Sequence, residues 1–312
     1  MLQILMFDVG NTLIRETDLG LFPHVLVALD ALHGFTASDG HPLASCLVSN
    51  FPKELPVAPE DMPGVFHQFL GMLPAELTER FKPADQRVTL SAHAGVPKPD
   101  PKVFTTAIGR LGLSAGLDSC LLITEEHQHI VRAQQLGMST LQFGGGGSPP
   151  PAGTDFADWS EAPMLIAHKL NGSAPVPSNL VAAVRTHLAA THPQLEAVTV
   201  QPRPNQAATA LSVQAQALVP LHDPVLGDLD GVCVSFPVTG SLKLSPSGRV
   251  LGLEGTQPSQ DDIDEAKQMV RSLANTGQIK DHAAKVGRGP THEVVEDPQG
   301  RRVLRRKRFS AI

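Results

Sequence analysis

An apolar run, Leu2-Gln3-Ile4-Leu5-Met6-Phe7, opens the chain, ends on Asp8 and gives way at once to Val9-Gly10-Asn11. A short apolar run closed by a turn signal reads as a buried strand. Over residues 22–32, Val25, Leu26, Leu29 and Leu32 recur at helical spacing, and Gly34 supplies the stop. Residues 42–48 form a second strand pattern ending at Ser49. A helical pattern over 103–111 stops at Gly112, a third strand spans 120–123, a helix over 130–136 closes at Gly137, and a fourth strand covers 139–143. Strands that alternate with helices predict a parallel sheet with right-handed crossovers.

The pattern then breaks. Gly144-Gly145-Gly146-Gly147-Ser148-Pro149-Pro150-Pro151 suits neither helix nor strand and marks a loop or linker, and Asn171-Gly172-Ser173-Ala174-Pro175-Val176-Pro177 is a second break. Beyond it a helix is expected over 179–190. Strand patterns follow at 195–200, 209–219, 231–238, 241–244 and 249–253, then a helix over 260–274 and a closing hairpin of 291–296 and 302–309. Asp261, Asp262 and Asp264 suit the positive end of that last helix. The expected organisation is an α/β, Rossmann-like domain over residues 1–170 and an α+β domain over 171–312.

Composition narrows the function classes. The chain has 312 residues, 41% of them hydrophobic, and a net charge of −6, so its overall field does not favour nucleic acid. Tyrosine is absent and Trp159 is the single tryptophan, which leaves little for stacking on bases. Cys46, Cys120 and Cys233 are far apart and lack metal-ligand spacing, as expected of reduced, buried thiols. No basic leader or long apolar stretch stands before Asp8, and no run approaches the roughly 20 residues that span a bilayer, so a cytoplasmic protein without a membrane partner is expected. The run Arg301-Arg302-Val303-Leu304-Arg305-Arg306-Lys307-Arg308 is locally basic. It reads as a solvated edge strand or as a surface for an acidic protein partner.

Candidate chemistry gathers where the strands end. Asp8 follows the first strand and Ser49-Asn50 the second. Val96-Pro97-Lys98-Pro99-Asp100-Pro101 enters the helix at 103, and Thr124-Glu125-Glu126 follows the third strand. In this order the segments resemble the four motifs of the haloacid-dehalogenase-like hydrolase superfamily, over residues 1–143. The resemblance implies that Asp8 is a nucleophile forming a covalent intermediate which water cleaves. It implies that Ser49 holds the transferring group, that Lys98 neutralises nucleophile and substrate, and that Thr12 and Asn50 contact the substrate. It further implies Mg²⁺ held by Asp8, the Gly10 carbonyl and Glu125, screening an incoming phosphate.

The first and the fourth motif depart from the pattern of that superfamily. Gly10 stands where its phosphatases carry a second Asp, a general acid and base contributing typically about 10²–10⁴-fold. Thr124-Glu125 and His129 stand where a Gly-Asp and a later Asp are usual, with Glu126 an alternative ligand. The interval from Thr12 to Ser49 leaves room for only a minimal cap, which favours a large or macromolecular substrate or closure by another domain. The expected function is Mg²⁺-dependent hydrolysis of a small or macromolecular phosphate ester. The alternatives are a catalytically weakened scaffold that binds a protein partner through its second domain and basic tail, and carbon–halogen hydrolysis, which needs the Asp and Lys but no metal.

Overall fold

Ile4–Phe7 form strand β1, buried along its whole length because it lies in the middle of a sheet covered on both faces. The computed structural model describes residues 2–37, 39–145, 153–170, 177–202, 210–279 and 290–306. After β1 come α1 (Val25–His33), β2 (Ala44–Ser49), α2 (Met62–Met72), α3 (Ala75–Arg80) and α4 (Ala84–Arg87). Then follow β3 (Val88–Leu90), α5 (Ser91–Ala94), α6 (Pro101–Arg110), β4 (Cys120–Thr124), α7 (His127–Gln135), β5 (Ser139–Gln142), α8 (Ala162–Leu170) and α9 (Pro177–Thr191).

The five strands pair in the order β3-β2-β1-β4-β5, all parallel, which is the Rossmann-like α/β arrangement expected from the alternation. Side chains alternate across the sheet. Ile4 and Met6 pack with Cys46, Val48, Phe104, Leu122 and Ala133 on one face. On the other, Phe7 meets Phe81 and Trp159, each with ring centroids 6.0 Å apart. Burying a side chain of this size contributes about 1.5–3 kcal/mol.

Two compact units emerge, Met1–Thr191 with Ser245–Arg249, and His192–Leu244 with Val250–Ile312. Helix α9 belongs to the first unit. Leu180, Ala183, Val184 and Leu188 of α9 are buried. Asn179 also clasps the Thr36 backbone, accepting its N–H at 3.1 Å and donating to its carbonyl at 2.7 Å. Of the Gly/Pro-rich run only Gly144 and Gly145 are described. Gly144 donates to the Phe156 carbonyl at 2.8 Å, so the chain returns to the same sheet, while residues 146–152 lie outside the described ones.

The second unit holds β6 (Leu195–Pro202), β7 (Ala210–Pro220), β8 (Cys233–Leu244), β9 (Val250–Glu254), α10 (Gln260–Asn275), β10 (His292–Glu296) and β11 (Arg302–Arg306). Its sheet runs β10-β11-β8-β7-β6, with β9 also on β8. Helix α10 lays Ala266 and Val270 on Ala215, Ala217 and Phe236. Ser259 and Asp262 cap it reciprocally, so the acidic start suits a capping box as well as the dipole. The α+β expectation for this region holds. The edge-strand expectation for residues 302–306 does not, because β11 lies between β10 and β8.

Candidate active site

Parallel strands deliver their carboxyl ends to one edge, and β2, β1 and β4 are neighbours. Ser49, Asp8 and Glu125 therefore arrive side by side. Lys98 comes from the segment between α5 and α6, beyond the same end of β3. Asp100 caps α6, accepting the Lys102 N–H at 2.9 Å, and Pro101 opens its first turn. The Lys-Pro-Asp-Pro sequence thus fixes where Lys98 enters. Asp8, Gly10, Ser49, Lys98 and Glu125 all line one cleft of about 560 Å³.

The Lys98 ammonium lies 2.5 Å from Asp8 Oδ1, with their side chains 2% and 9% exposed. It also donates to the Val48 carbonyl at 3.0 Å. The Val9 N–H reaches Asp8 Oδ1 at 2.7 Å and the Thr124 hydroxyl reaches Oδ2 at 2.8 Å. Burial pushes the Asp8 carboxyl up, but the Lys98 charge and these hydrogen bonds outweigh it. The net effect holds Asp8 well below the usual carboxylate range, so it is ionised at neutral pH.

Asn50 lines the cleft with its amide committed to Lys98, accepting the Lys98 N–H at 2.6 Å and donating to its carbonyl at 3.3 Å. Thr12 is not part of the lining. Its hydroxyl donates to Glu125 Oε2 and accepts the Glu125 N–H at 3.1 Å, tying the turn after β1 to the turn after β4. Trp159 supports that turn from below, its ring N–H donating to the Thr12 carbonyl at 2.9 Å.

Glu125 has its carboxyl pushed up, first by burial and then by the Asp8 charge. Its Oε1 carries no hydrogen bond among the described residues, and the whole donor set here is oxygen. Two carboxylates and a backbone carbonyl suit a hard divalent cation, which takes only one or two protein carboxylates when it is Mg²⁺. Among the described residues no group of three or more His, Cys, Asp or Glu is arranged to hold a metal. Glu126 caps α7, its side chain accepting the Gln128 N–H at 3.5 Å.

Sequence reasoning placed His129 where a later Asp of the fourth motif is usual, and it passed over the other residues that the fold brings here. His129, one turn into α7, places Nδ1 3.7 Å from Asp8 Oδ2, beyond hydrogen-bond reach, and that nitrogen is buried with no partner among the described residues. Its four-residue spacing from Glu125 on a helix start was the available signal. The cleft also has an apolar wall of Leu19, Phe51, Phe69, Met72 and Leu73, with Lys53 and Glu16 at its margin. Part of that wall comes from α2, in the interval 51–88, so the cover follows the second strand rather than the first.

The basic run near the end of the chain is largely paired within its own unit. Arg301 bonds Asp297 at 2.6 Å and approaches Glu196 at 3.6 Å, Arg305 faces Glu293 across the ladder, and Arg302 faces Glu296. Lys307 and Arg308 lie outside the described residues. Cys46, Cys120 and Cys233 are free and buried, and burial pushes the Cys46 thiol up to about 12. Among the described residues no helix is long and apolar enough to cross a membrane.

No family model matches the chain, and neither does any curated protein. Solved structures resemble parts of it. A haloacid-dehalogenase-like protein of unknown function from Agrobacterium tumefaciens is 14% identical, covering 54% of this chain and 99% of its own, with a TM-score of 0.33. A HAD hydrolase of family IA, variant 3, from Entamoeba histolytica is 11% identical over 59% of this chain and 100% of its own, with a TM-score of 0.31. A HAD family hydrolase from Deinococcus radiodurans, with bound phosphate and sodium, is 15% identical over 61% and 98%, with a TM-score of 0.30. These belong to the superfamily that the motifs resemble; at such scores the likeness adds nothing to the case made by the sheet and the cleft.

Proposed function

We propose that the first unit is a hydrolase that cleaves phosphate esters through a covalent intermediate on Asp8. The observation that carries this reading is the buried Asp8–Lys98 pair at 2.5 Å on the floor of a cleft at the carboxyl edge of the sheet. A nucleophilic carboxylate must be ionised and held still, and Lys98, Val9 and Thr124 favour both. Asn50 acts on Lys98 rather than on substrate, fixing the ammonium where charge builds as the bond to phosphorus forms. Ser49 offers its hydroxyl to the phosphoryl oxygens from the end of β2. His129 leaves one ring nitrogen for a ligand beside Asp8.

Asp8, Glu125 and the Gly10 carbonyl would hold Mg²⁺, which when bound supplies positive charge against the substrate phosphate. The apolar wall suits a substrate whose alcohol carries an apolar body, and a site at the margin of a single unit suits a cytoplasmic small molecule as readily as a larger one. Turnover of a generic aryl phosphate that requires Mg²⁺ and disappears in Asp8→Asn tests this reading. Absence of any turnover with Mg²⁺ present would count against it.

One observation favours a second reading. Both Asp8 oxygens already have partners that hold the carboxylate ionised without a metal, which is what carbon–halogen hydrolysis requires. Halide release from a 2-haloacid, unaffected by chelator, would favour it. In H₂¹⁸O that chemistry labels the Asp8 carboxylate, whereas phosphoryl hydrolysis labels the released phosphate.

A further inference from the structure

Leu19 stands in the left-handed region, at φ 56°, where a Cβ is strained and glycine or asparagine is usual. Gly20 follows directly, yet the strain falls on the leucine. Backbone and polar bonds hold the turn around it. The Leu19 N–H donates to the Arg15 carbonyl at 2.8 Å, the Arg15 N–H to the Gly20 carbonyl at 2.8 Å, and the Gly20 N–H to Asp18 Oδ1 at 2.9 Å. Arg15 adds bonds to Asp18 at 3.0 Å and to the Leu21 carbonyl at 2.7 Å. None of these uses the Leu19 side chain, and the residue stays 37% exposed. A strained backbone that leaves an apolar side chain in water gains little in packing, which points to a ligand rather than to the core.

Leu19 lines the cleft that holds Asp8, together with Phe51, Phe69, Met72 and Leu73. Phe69 and Leu73 are buried, and the Phe51 and Phe69 rings lie 5.3 Å apart, so part of this wall is fixed by packing. Met72, the last residue of α2, is like Leu19 a large apolar residue left exposed. Two separate elements thus each leave an apolar side chain uncovered beside the same carboxylate. Charge points the same way. The Lys98 ammonium is divided between Asp8 and the Val48 carbonyl. Lys53 is then the one lysine of the lining without an ion pair among the described residues, against the carboxylates of Glu16, Glu125 and Glu126. Once one phosphate is seated at Asp8, a second anionic group would meet an excess of like charge.

Resting on the proposed hydrolase reading, we infer that the substrate carries a single phosphate on an apolar alcohol, and that Leu19 and Met72 select it by covering the apolar body beside Asp8. The cleft, at about 560 Å³, has room for such a body in addition to the phosphate. Each methylene withdrawn from water against these side chains strengthens binding, whereas a short or polar alcohol leaves them wet. The left-handed turn at Leu19 is the cost of presenting that side chain to the ligand instead of to the core.

The test compares ethyl phosphate with hexyl phosphate, whose alcohols are similar leaving groups and differ in apolar length. The wild type should favour the hexyl ester in kcat/KM by about tenfold or more. Leu19→Asn should lose most of that preference, and Met72→Gln, on the other element, should do the same. Hexyl phosphate carrying a second phosphate at its far end should be the poorer substrate. Asn accepts the left-handed conformation, so Leu19→Asn should keep a denaturant midpoint at or above that of the wild type. A lower midpoint would mean that the fold itself requires the leucine and would overturn its assignment. Equal turnover of ethyl and hexyl phosphate by the wild type, a preference that survives both substitutions, or faster turnover of the doubly phosphorylated ester would overturn the inference while leaving the hydrolase reading standing. No turnover of any of the three esters by the wild type would overturn both.

Discussion

Asn50 grips the Lys98 peptide from both sides, its carbonyl taking the N–H at 2.6 Å and its amide reaching the carbonyl at 3.3 Å. The residues are 48 positions apart, and this clamp sets where the Lys98 ammonium meets Asp8. Asn50→Ala leaves both backbone groups without a side-chain partner, at about 1–3 kcal/mol. A displacement of the ammonium by about 1 Å would lower kcat by roughly 10²-fold. Steady-state kinetics should show that loss in kcat rather than in KM, and an equal loss in both would argue that Asn50 contacts substrate instead.

The buried Asp8–Lys98 pair predicts an asymmetric mutational response. Asp8→Asn removes the counter-charge from an ammonium that cannot reach solvent, a change of about 3–5 kcal/mol. Pairing it with Lys98→Met removes the stranded charge and should restore most of the stability. Denaturant midpoints followed by fluorescence of Trp159, the single tryptophan and a core residue of this unit, report the difference. A single mutant as stable as the wild type would mean that the pair is hydrated.

Asp8 and Glu125 shift in opposite directions, so they shape stability against pH differently. Asp8, lowered on folding, contributes stability that is complete above its unfolded value of about 3.9 and is lost as pH falls through its folded value. Glu125 is raised by burial and by Asp8, so the native state holds its proton more tightly than the unfolded chain. Its ionisation therefore weakens the fold above the folded value, and acidification toward the unfolded value of about 4.3 relieves the penalty. In metal-free buffer Glu125→Gln should be more stable than the wild type at neutral pH, with the gap closing as pH falls. A gap that widens on acidification would contradict the Asp8–Glu125 repulsion.

Trp159 donates to the Thr12 carbonyl across 147 positions, and Thr12 in turn holds Glu125. Trp159→Phe leaves that buried carbonyl unpaired at about 1–3 kcal/mol and loosens the Glu125 turn. A higher Mg²⁺ requirement for turnover, with KM for the ester unchanged, is the expected signature. An unchanged Mg²⁺ requirement would separate Trp159 from the metal site.

The sheet was legible where apolar runs ended in turn signals, and so were Asp8, Ser49, Lys98 and Glu125, each set at a strand end or a helix entry. Strand β3, Val88–Leu90, was not, because three residues carry no period. Strand β8 runs unbroken through Gly240, where a break had been expected. A Cβ there would collide with the Glu254 carbonyl, so this glycine admits the neighbouring strand closely rather than turning the chain. The placement of α9 depends on Asn179 reaching back to Thr36, a contact without local signature. Glu16 escaped for a related reason. Its meeting with Gly10 depends on how the turn after β1 folds over the sheet edge, and no spacing in the sequence encodes it.

The most direct test traps the covalent intermediate. The enzyme is mixed with a phosphate ester and Mg²⁺, quenched in acid and reduced with borohydride, which converts an aspartyl phosphate to homoserine. Peptide mass spectrometry should find homoserine at position 8 in the wild type, and none without substrate or in Asp8→Asn. Phosphate release during turnover with the Asp8 peptide unmodified, or with the modification on another carboxylate, would contradict the account.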